Sequence, residues 1–308
     1  MAATNAGTVA PIALFVYNRL WHTRQTVEAL QGNRLAKESN LFIFSDAAKR
    51  PDAAPAVQQV REYVKTIEGF RSVNLIERVK NFGLANSIID GTKSLVTRYG
   101  RIIVLEDDMV TSPHFLTYMN NALERYVDDD RVISIHGYVY PIDDPLPEVF
   151  FLRGADCWGW ATWSRGWALF NEDGTFLLKQ LKTHKLSRAF NFGGTYPYTK
   201  MLEDQISGKN DSWAVRWYAS AFLAGKLTLY PRRSLVQNIG NDSSGAHCGT
   251  SNSLDTQLID SPLNVDSATI EESTAARRAF ERFFKRNYPG FGRRLVRKIK
   301  RFAMAERL

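Results

Sequence analysis

The first hundred residues alternate short apolar runs with amphipathic stretches, and this alternation constrains the fold more than any other feature of the sequence. Residues 11–17 (PIALFVY), 41–44, 73–79 and 101–105 (RIIVL) have the pattern of strands, and helical patterns separate them. Runs that are apolar throughout are typical of strands covered on both faces. The alternation predicts an α/β fold with a mostly parallel sheet flanked by helices, which binds ligands at the carboxyl ends of its strands.

Length and cysteine content limit the architecture further. A chain of 308 residues is long enough for one large α/β domain, and we see no linker before about residue 270. No stretch reaches the roughly 18–20 apolar residues that a membrane span needs, and the N-terminus lacks the basic-then-apolar layout of a signal peptide. Cys157 and Cys248 do not have the spacing of a zinc site, which favours free thiols in a reducing cytoplasm.

The basic charge is concentrated at the C-terminus. Residues 277–308 contain 12 Lys/Arg and 2 Asp/Glu, whereas the preceding residues contain 28 and 30. Apolar residues recur there with helical spacing: Phe280, Phe283 and Phe284, then Leu295, Ile299 and Phe302. We therefore predict a basic amphipathic helical tail over residues 271–308 that binds an anionic membrane surface, the alternative being a helix packed on the domain. The nearly neutral remainder argues against nucleic-acid binding.

Polar side chains collect where the predicted strands end. They are Asn18 and Arg19, Asp46, Asn81, and the triplet Glu106-Asp107-Asp108. Carboxylates directly after a buried strand are costly to desolvate without a partner, and carboxylate oxygens are ligands that Mg²⁺ and Mn²⁺ prefer. The triplet is therefore a candidate metal site, whereas the triplet at residues 128–130, between a helix and a strand, is interpreted as a solvated turn.

Several segments resemble GT-A-fold glycosyltransferases. Residues 101–118 (RIIVLEDDMVTSPHFLTY) are similar to the donor-site segment of N-acetylglucosaminyltransferase I, in which an apolar strand leads into Glu-Asp-Asp. Other similar segments follow in the family's order: FVYNR (15–19), NFGLAN (81–86), CWGWATW (157–163), NDSW (210–213) and NIGNDSSGAH (238–247). The combination resembles bacterial surface-polysaccharide sugar transferases most. It implies a GT-A domain over residues 1–270, with a donor half at about 10–135 and an acceptor half at about 136–270.

The resemblance also implies roles for individual residues. It implies donor binding by Tyr17, Asn18, Arg19, Asp46, Asn81, Asn86, Glu106 and Asp107, with Asp46 at the uracil or ribose. It implies a Mn²⁺ or Mg²⁺ ion held by Asp108, with His247 as a second ligand, and an acceptor site that includes Trp158 and Trp160. Asp211 would be the general base, with Glu203 and Asp204 as rivals.

The activity implied is metal-dependent, inverting transfer of a sugar from a nucleotide-sugar, a UDP-sugar by resemblance. The acceptor would be a glycan or a polyprenyl-linked saccharide in bacterial surface-polysaccharide synthesis, at the cytoplasmic face of the inner membrane. A sugar-phosphate nucleotidyltransferase would need a glycine-rich loop after the first strand, and FVYNRLWHTRQT (15–26) contains no glycine. This rival and a non-catalytic nucleotide-sugar or polysaccharide-binding protein remain open.

Three of these residues have simpler structural interpretations. Asp46 could cap the turn after its strand, because aspartate often bonds to nearby backbone N–H groups. Asp211 could be the N-cap of the helix that follows it. His247, in a polar loop, could be solvated.

Overall fold

A computed structural model describes residues 9–242 and 253–288. The strands in this part of the chain are β1 (Ile12–Val16), β2 (Asn40–Ser45), β3 (Ser72–Glu77), β4 (Arg101–Glu106), β5 (Met109–Thr111), β6 (Val132–His136), β7 (Val149–Arg153), β8 (Trp160–Trp163), β9 (Leu227–Pro231) and β10 (Val236–Asn238). The α-helices are α1 (Leu20–Gln31), α2 (Ala54–Val64), α3 (Leu84–Tyr99), α4 (Phe115–Arg125), α5 (Ser164–Trp167), α6 (Gly174–Thr183), α7 (Ser187–Phe190), α8 (Tyr198–Ile206), α9 (Trp213–Leu223) and α10 (Thr274–Asn287). Single turns of 3₁₀ helix occur at Ala36–Glu38, Pro51–Ala53 and Phe192–Gly194.

The central sheet has eight strands in the order β3-β2-β1-β4-β8-β6-β9-β7, and β5 pairs with β10 in a separate ribbon. The first four strands of this order are parallel to one another. Strand β8 runs antiparallel to both β4 and β6 and so joins the parallel half to the rest. The predicted fold class, a mostly parallel sheet flanked by helices, is confirmed.

Helix α3 shows how the sequence sets local structure and packing together. Its buried face, which includes Ile88 and Val96, packs against the sheet side chains Phe15 and Ile102. Gly100 ends the helix with φ +76°, a left-handed conformation that favours glycine. The chain enters β4 directly after Gly100. The position of this glycine therefore sets where β4 begins, and β4 ends at Glu106.

Four of the tryptophans form a core cluster instead of an exposed surface on which a sugar could stack. Trp160 lies on β8, is fully buried, and its ring centroid lies 5.4–5.9 Å from those of Trp167, Trp213 and Trp217. The expectation that Trp160 contacts the acceptor is therefore wrong, because both ring faces are covered by protein. Trp158, two residues earlier, is only partly buried and stays a prediction.

The first helix of the predicted tail belongs to the folded body. Helix α10 is N-capped by Ser273, whose hydroxyl accepts a hydrogen bond from the Ala276 N–H (3.2 Å). Phe280, Phe283 and Phe284 are buried and contact Tyr140, with ring centroids 5.0–5.2 Å apart. The expectation that these phenylalanines face a membrane is wrong, since the domain covers the apolar face.

The remaining apolar positions of the tail, Leu295, Ile299 and Phe302, lie outside the described residues. None of the described helices is long and apolar enough to span a membrane.

We expect two truncations to separate these segments. Deleting residues 277–308 removes three buried phenylalanines, each worth about 3–5 kcal/mol, so the total is comparable to the stability of a whole domain and the variant should not fold. Deleting only residues 289–308 keeps helix α10 and should preserve a cooperative thermal unfolding transition in circular dichroism. The second variant should also lose binding to anionic phosphatidylglycerol vesicles, and retained binding would contradict the predicted membrane role.

Candidate active site

A cavity of about 370 Å³, here called the central cavity, opens at the carboxyl ends of β1, β2 and β4. Parallel pairing places Phe15 of β1 opposite both Phe44 of β2 and Glu106 of β4, which brings the three strand ends together. The candidate residues that line the cavity are Tyr17, Asn18, Arg19, Asp46, Asn81, Glu106, Asp107 and Asp211. The structure therefore gathers side chains that are up to about two hundred positions apart in the sequence.

The acidic triplet is paired with one cation, Arg19. The Arg19 guanidinium donates to Asp107 Oδ1 and, at 2.7 Å, to Asp108 Oδ2. Burial and the charges of Asp108 and Asp107 raise the pKa of Glu106 to about 8. Burial also raises the pKa of Asp107 to about 6, although Arg19 opposes the rise. Three carboxylates facing one arginine make this end of the cavity favourable for a further cation.

Asp108 has the properties expected of a metal ligand in an open site. It is buried, and within the described residues its Oδ1 accepts no hydrogen bond. The chain after β10 passes close to it: a Cβ at Gly240 would lie 2.1 Å from Asp108 Oδ2, so a larger residue there would push the carboxylate aside. The described residues contain no group of three or more side chains able to hold a metal by themselves. The residues thus fit an ion that takes its other oxygen ligands from substrate, as Mg²⁺ often does. His247 lies outside the described residues.

Asp46 bonds to the turn after its strand, as one interpretation of the sequence proposed, and also to the loop before α3. Its Oδ1 accepts hydrogen bonds from the N–H groups of Ala47 and Phe82 (both 2.9 Å). Its Oδ2 accepts from the Gly83 N–H (2.9 Å) and from Asn81 Nδ2 (3.0 Å). Both oxygens are therefore used by protein, and Asp46 ties the end of β2 to the loop before α3. This arrangement differs from the expected contact with uracil or ribose.

The Asp46→Asn variant tests this positioning role. The new amide group would place a donor where protein N–H groups already donate, so at least one hydrogen bond is lost, at about 1–3 kcal/mol. We expect a lower melting temperature and weaker binding of UDP, both measured by differential scanning fluorimetry. Unchanged stability with loss of UDP binding alone would instead support direct contact with the nucleotide.

Asp211 lies on the wall of the central cavity and does not cap the helix beside it. The N-cap of α9 is Ser212, whose hydroxyl accepts a hydrogen bond from the Val215 N–H (3.2 Å). The capping interpretation of Asp211 is therefore wrong. The exposed Asp211 also lines a neighbouring groove that contains Asn86, which does not line the central cavity.

The two rival bases are engaged elsewhere. Glu203 pairs with Lys182 at 3.3 Å, and Asp204 pairs with Lys200 and, at 3.7 Å, with Lys209. Neither carboxylate lines the central cavity. Asp211 is therefore the candidate general base that the geometry favours.

Two residues near the site were missed from the sequence. Lys49 lines the central cavity. It was missed because, in the sequence, it looks like any other surface lysine.

Asp156 lies before β8, where its Oδ1 accepts a hydrogen bond from the Cys157 N–H (2.8 Å). Burial and the charges of Asp156 and Glu106 raise the pKa of the Cys157 thiol, which places Asp156 and the triplet near the same segment.

No protein-family model matches the sequence, and no curated protein sequence matches it. Among solved structures, a mannosyltransferase from Pyrobaculum calidifontis in complex with GDP-mannose and Mn²⁺ is similar at 15% identity and a TM-score of 0.32, covering 43% of this chain and 36% of that one. A UDP-glucose pyrophosphorylase complexed with UDP-glucose is similar at 11% identity and a TM-score of 0.37, covering 72% and 90%. Because both TM-scores are below 0.5, neither likeness identifies a family or an activity for this chain.

Proposed function

We propose that this chain is a metal-dependent, inverting glycosyltransferase that uses a nucleotide-sugar donor, a UDP-sugar by resemblance. The observation that carries the proposal is the shared central cavity. Glu106 and Asp107 line it together with Asp211, and a buried Asp108 oxygen lies beside it. A site for this reaction needs a cation-binding end for the diphosphate and a separate carboxylate for the acceptor, and the cavity offers both.

Each group has a distinct task in this proposal. Asp108 would hold a Mn²⁺ or Mg²⁺ ion, which would supply positive charge next to the diphosphate leaving group. Glu106 and Asp107 orient the ribose and the sugar. Asp211 removes the proton of an acceptor hydroxyl while that oxygen bonds to the anomeric carbon and the nucleoside diphosphate departs. A single displacement of this kind inverts the anomeric centre and needs one carboxylate on the acceptor side.

The loop after β1 argues against a sugar-phosphate nucleotidyltransferase. Only residues 17–19 separate β1 from α1, and none of them is glycine. In addition, Arg19 is held by Asp107 and Asp108. This short loop does not provide the run of backbone N–H groups that a glycine-rich phosphate loop places around a triphosphate. A carboxylate facing the cavity at Asp211 favours an enzyme over a non-catalytic binding protein.

One experiment distinguishes the three functions. We would incubate the protein with Mn²⁺ and each of several UDP-sugars and GDP-mannose, and measure release of free nucleoside diphosphate. A transferase should hydrolyse one donor slowly, and EDTA should stop the reaction. Formation of nucleoside triphosphate on addition of pyrophosphate would identify a nucleotidyltransferase, and binding without turnover of any donor would identify a binding protein.

The setting of the reaction is part of the proposal. The resemblance to surface-polysaccharide transferases supports a glycan or polyprenyl-linked acceptor in bacterial polysaccharide synthesis. The basic sequence of residues 289–308 supports peripheral binding at the cytoplasmic face of the inner membrane.

A further inference from the structure

A second depression adjoins the central cavity, here called the lateral groove. It has a volume of about 530 Å³. The polar residues that line it are Lys49, Asn86, Gln205, Asn210, Asp211 and Arg216. Lys49 and Asp211 line the central cavity as well, so the two spaces meet at a cation and at the proposed base.

Two of the side chains that line the lateral groove, Lys49 and Arg216, are cations, and one, Asp211, is a carboxylate. Lys49 is exposed, and within the described chain its ammonium group pairs with no carboxylate. Arg216 is buried and donates to the backbone carbonyls of Ser212 and Glu172, both at 3.3 Å, with no carboxylate of the described residues within salt-bridge distance. Burial lowers the pKa of Arg216, as expected of a cation that has lost solvent, although the charges of Glu172 and Asp211 oppose the shift.

The amide side chains beside these cations offer both hydrogen-bond donors and hydrogen-bond acceptors. Asn210 Nδ2 donates to the Met201 carbonyl (3.2 Å), and its Oδ1 accepts from the Ser212 N–H (3.0 Å). Gln205 Oε1 is buried and accepts no hydrogen bond within the described residues, so this amide still has capacity to bind a ligand. The groove's complement to an anionic oxygen therefore lies in its two cations, Lys49 and Arg216, and the amides add hydrogen bonds of either direction.

We propose that the lateral groove is the acceptor subsite and that it takes a saccharide bearing an anionic group, either a carboxylate or a phosphate. Its assignment to the acceptor rests on the proposed function, because a base must touch the acceptor hydroxyl and also face the sugar donor. Asp211 satisfies this requirement by lining both spaces. The preference for an anion rests on Lys49 and Arg216, independently of the donor.

Matched sugars test the preference directly. The probes are methyl β-glucuronide and glucose 1-phosphate, compared with neutral methyl β-glucoside, and binding is measured by calorimetry at low ionic strength. Each titration is done with and without UDP and Mn²⁺, which fill the central cavity. We expect at least one anionic probe to bind about tenfold more tightly than the glucoside, with or without UDP, and the advantage to shrink in high salt.

Two variants locate the anion site. Lys49→Met should reduce the anion preference. Because Lys49 also lines the central cavity, the UDP affinity of this variant is measured in parallel. Gln205→Glu adds a negative charge to the lateral groove without touching the central cavity, and should remove the preference while leaving UDP binding unchanged. Lys93→Met, an exposed lysine outside both spaces, is the matched control and should behave as wild type.

The outcomes separate this inference from the proposed function. Equal affinity for the anionic and neutral probes, or no binding of any probe, would overturn the inference. A preference that survives Gln205→Glu, or that disappears when UDP is bound, would place the anion outside the lateral groove and would also overturn it. Failure of the wild type to bind any nucleotide or nucleotide-sugar with Mn²⁺ would instead overturn the proposed function.

Discussion

Replacing Asp211 by asparagine should lower the rate of sugar transfer by about 10²–10⁴-fold, the usual contribution of a general base. The asparagine side chain has nearly the same shape as aspartate but cannot take a proton from an acceptor hydroxyl. Asp211 is exposed and Ser212 caps helix α9, so the substitution should leave the fold intact. The residues at the opposite end of the cavity are unchanged, so binding of the nucleotide-sugar should stay near the wild-type value.

The measurement compares kcat with the dissociation constant of the donor. Glu203→Gln is the matched control, because Glu203 pairs with Lys182 outside the central cavity and its loss should leave kcat unaltered. Near-normal turnover by Asp211→Asn would assign the base to another carboxylate. Asp156 would then be tested next, because its charge and that of Glu106 both act on the Cys157 thiol.

The second large effect concerns Asp108. The Asp108→Ala variant should lose the Mn²⁺-dependent part of donor binding. We expect a weakening of about 100-fold or more, because Asp108 would hold the ion that attracts the diphosphate. The change also removes one of the two carboxylates that Arg19 contacts. The Arg19–Asp107 ion pair remains, which should help the site to keep its shape.

Titration of Mn²⁺ in the presence of UDP, followed by calorimetry, checks this expectation. Asp108→Asn is a second variant of nearly equal shape, and both are compared with wild type by thermal unfolding. Asp128→Ala supplies a control from the other acidic triplet, where Asp128 and Asp130 are exposed and Asp129 pairs with Arg131 (2.6 Å) as expected of a solvated turn. Wild-type UDP affinity for Asp108→Ala with Mn²⁺ would contradict the central role of the triplet.

The parallel half of the sheet could be predicted because its signals are local. Continuous apolar runs such as residues 101–105 can be buried on both faces only as inner strands, and β4 forms there. The carboxyl ends of parallel strands meet at one edge of the sheet, so the polar residues after β1, β2 and β4 had to converge. The grouping of Arg19, Asp46 and Glu106 follows from these two facts.

Residues whose role depends on distant partners were not predictable in the same way. Trp160 and helix α10 both looked available for ligands or membrane, and both are covered by parts of the chain that are far away in sequence. Asp46 was expected to meet the nucleotide, yet the loop at residues 81–83 takes up both of its oxygens. An amphipathic or polar pattern shows that a face needs a partner, but the pattern is the same whether that partner is protein or ligand.

The sequence by itself determined the α/β class, the strand ends that carry polar groups and the acidic triplet that begins at the last residue of β4. These properties depend on periodicity and on neighbours along the chain. Only the tertiary structure decided that Arg19 bridges Asp107 and Asp108, that Asp211 faces the same cavity, and that Lys49 and Arg216 share a groove beside it. The reason is physical: charge pairing and burial depend on distances in space, and those distances are set by how the helices pack on the sheet.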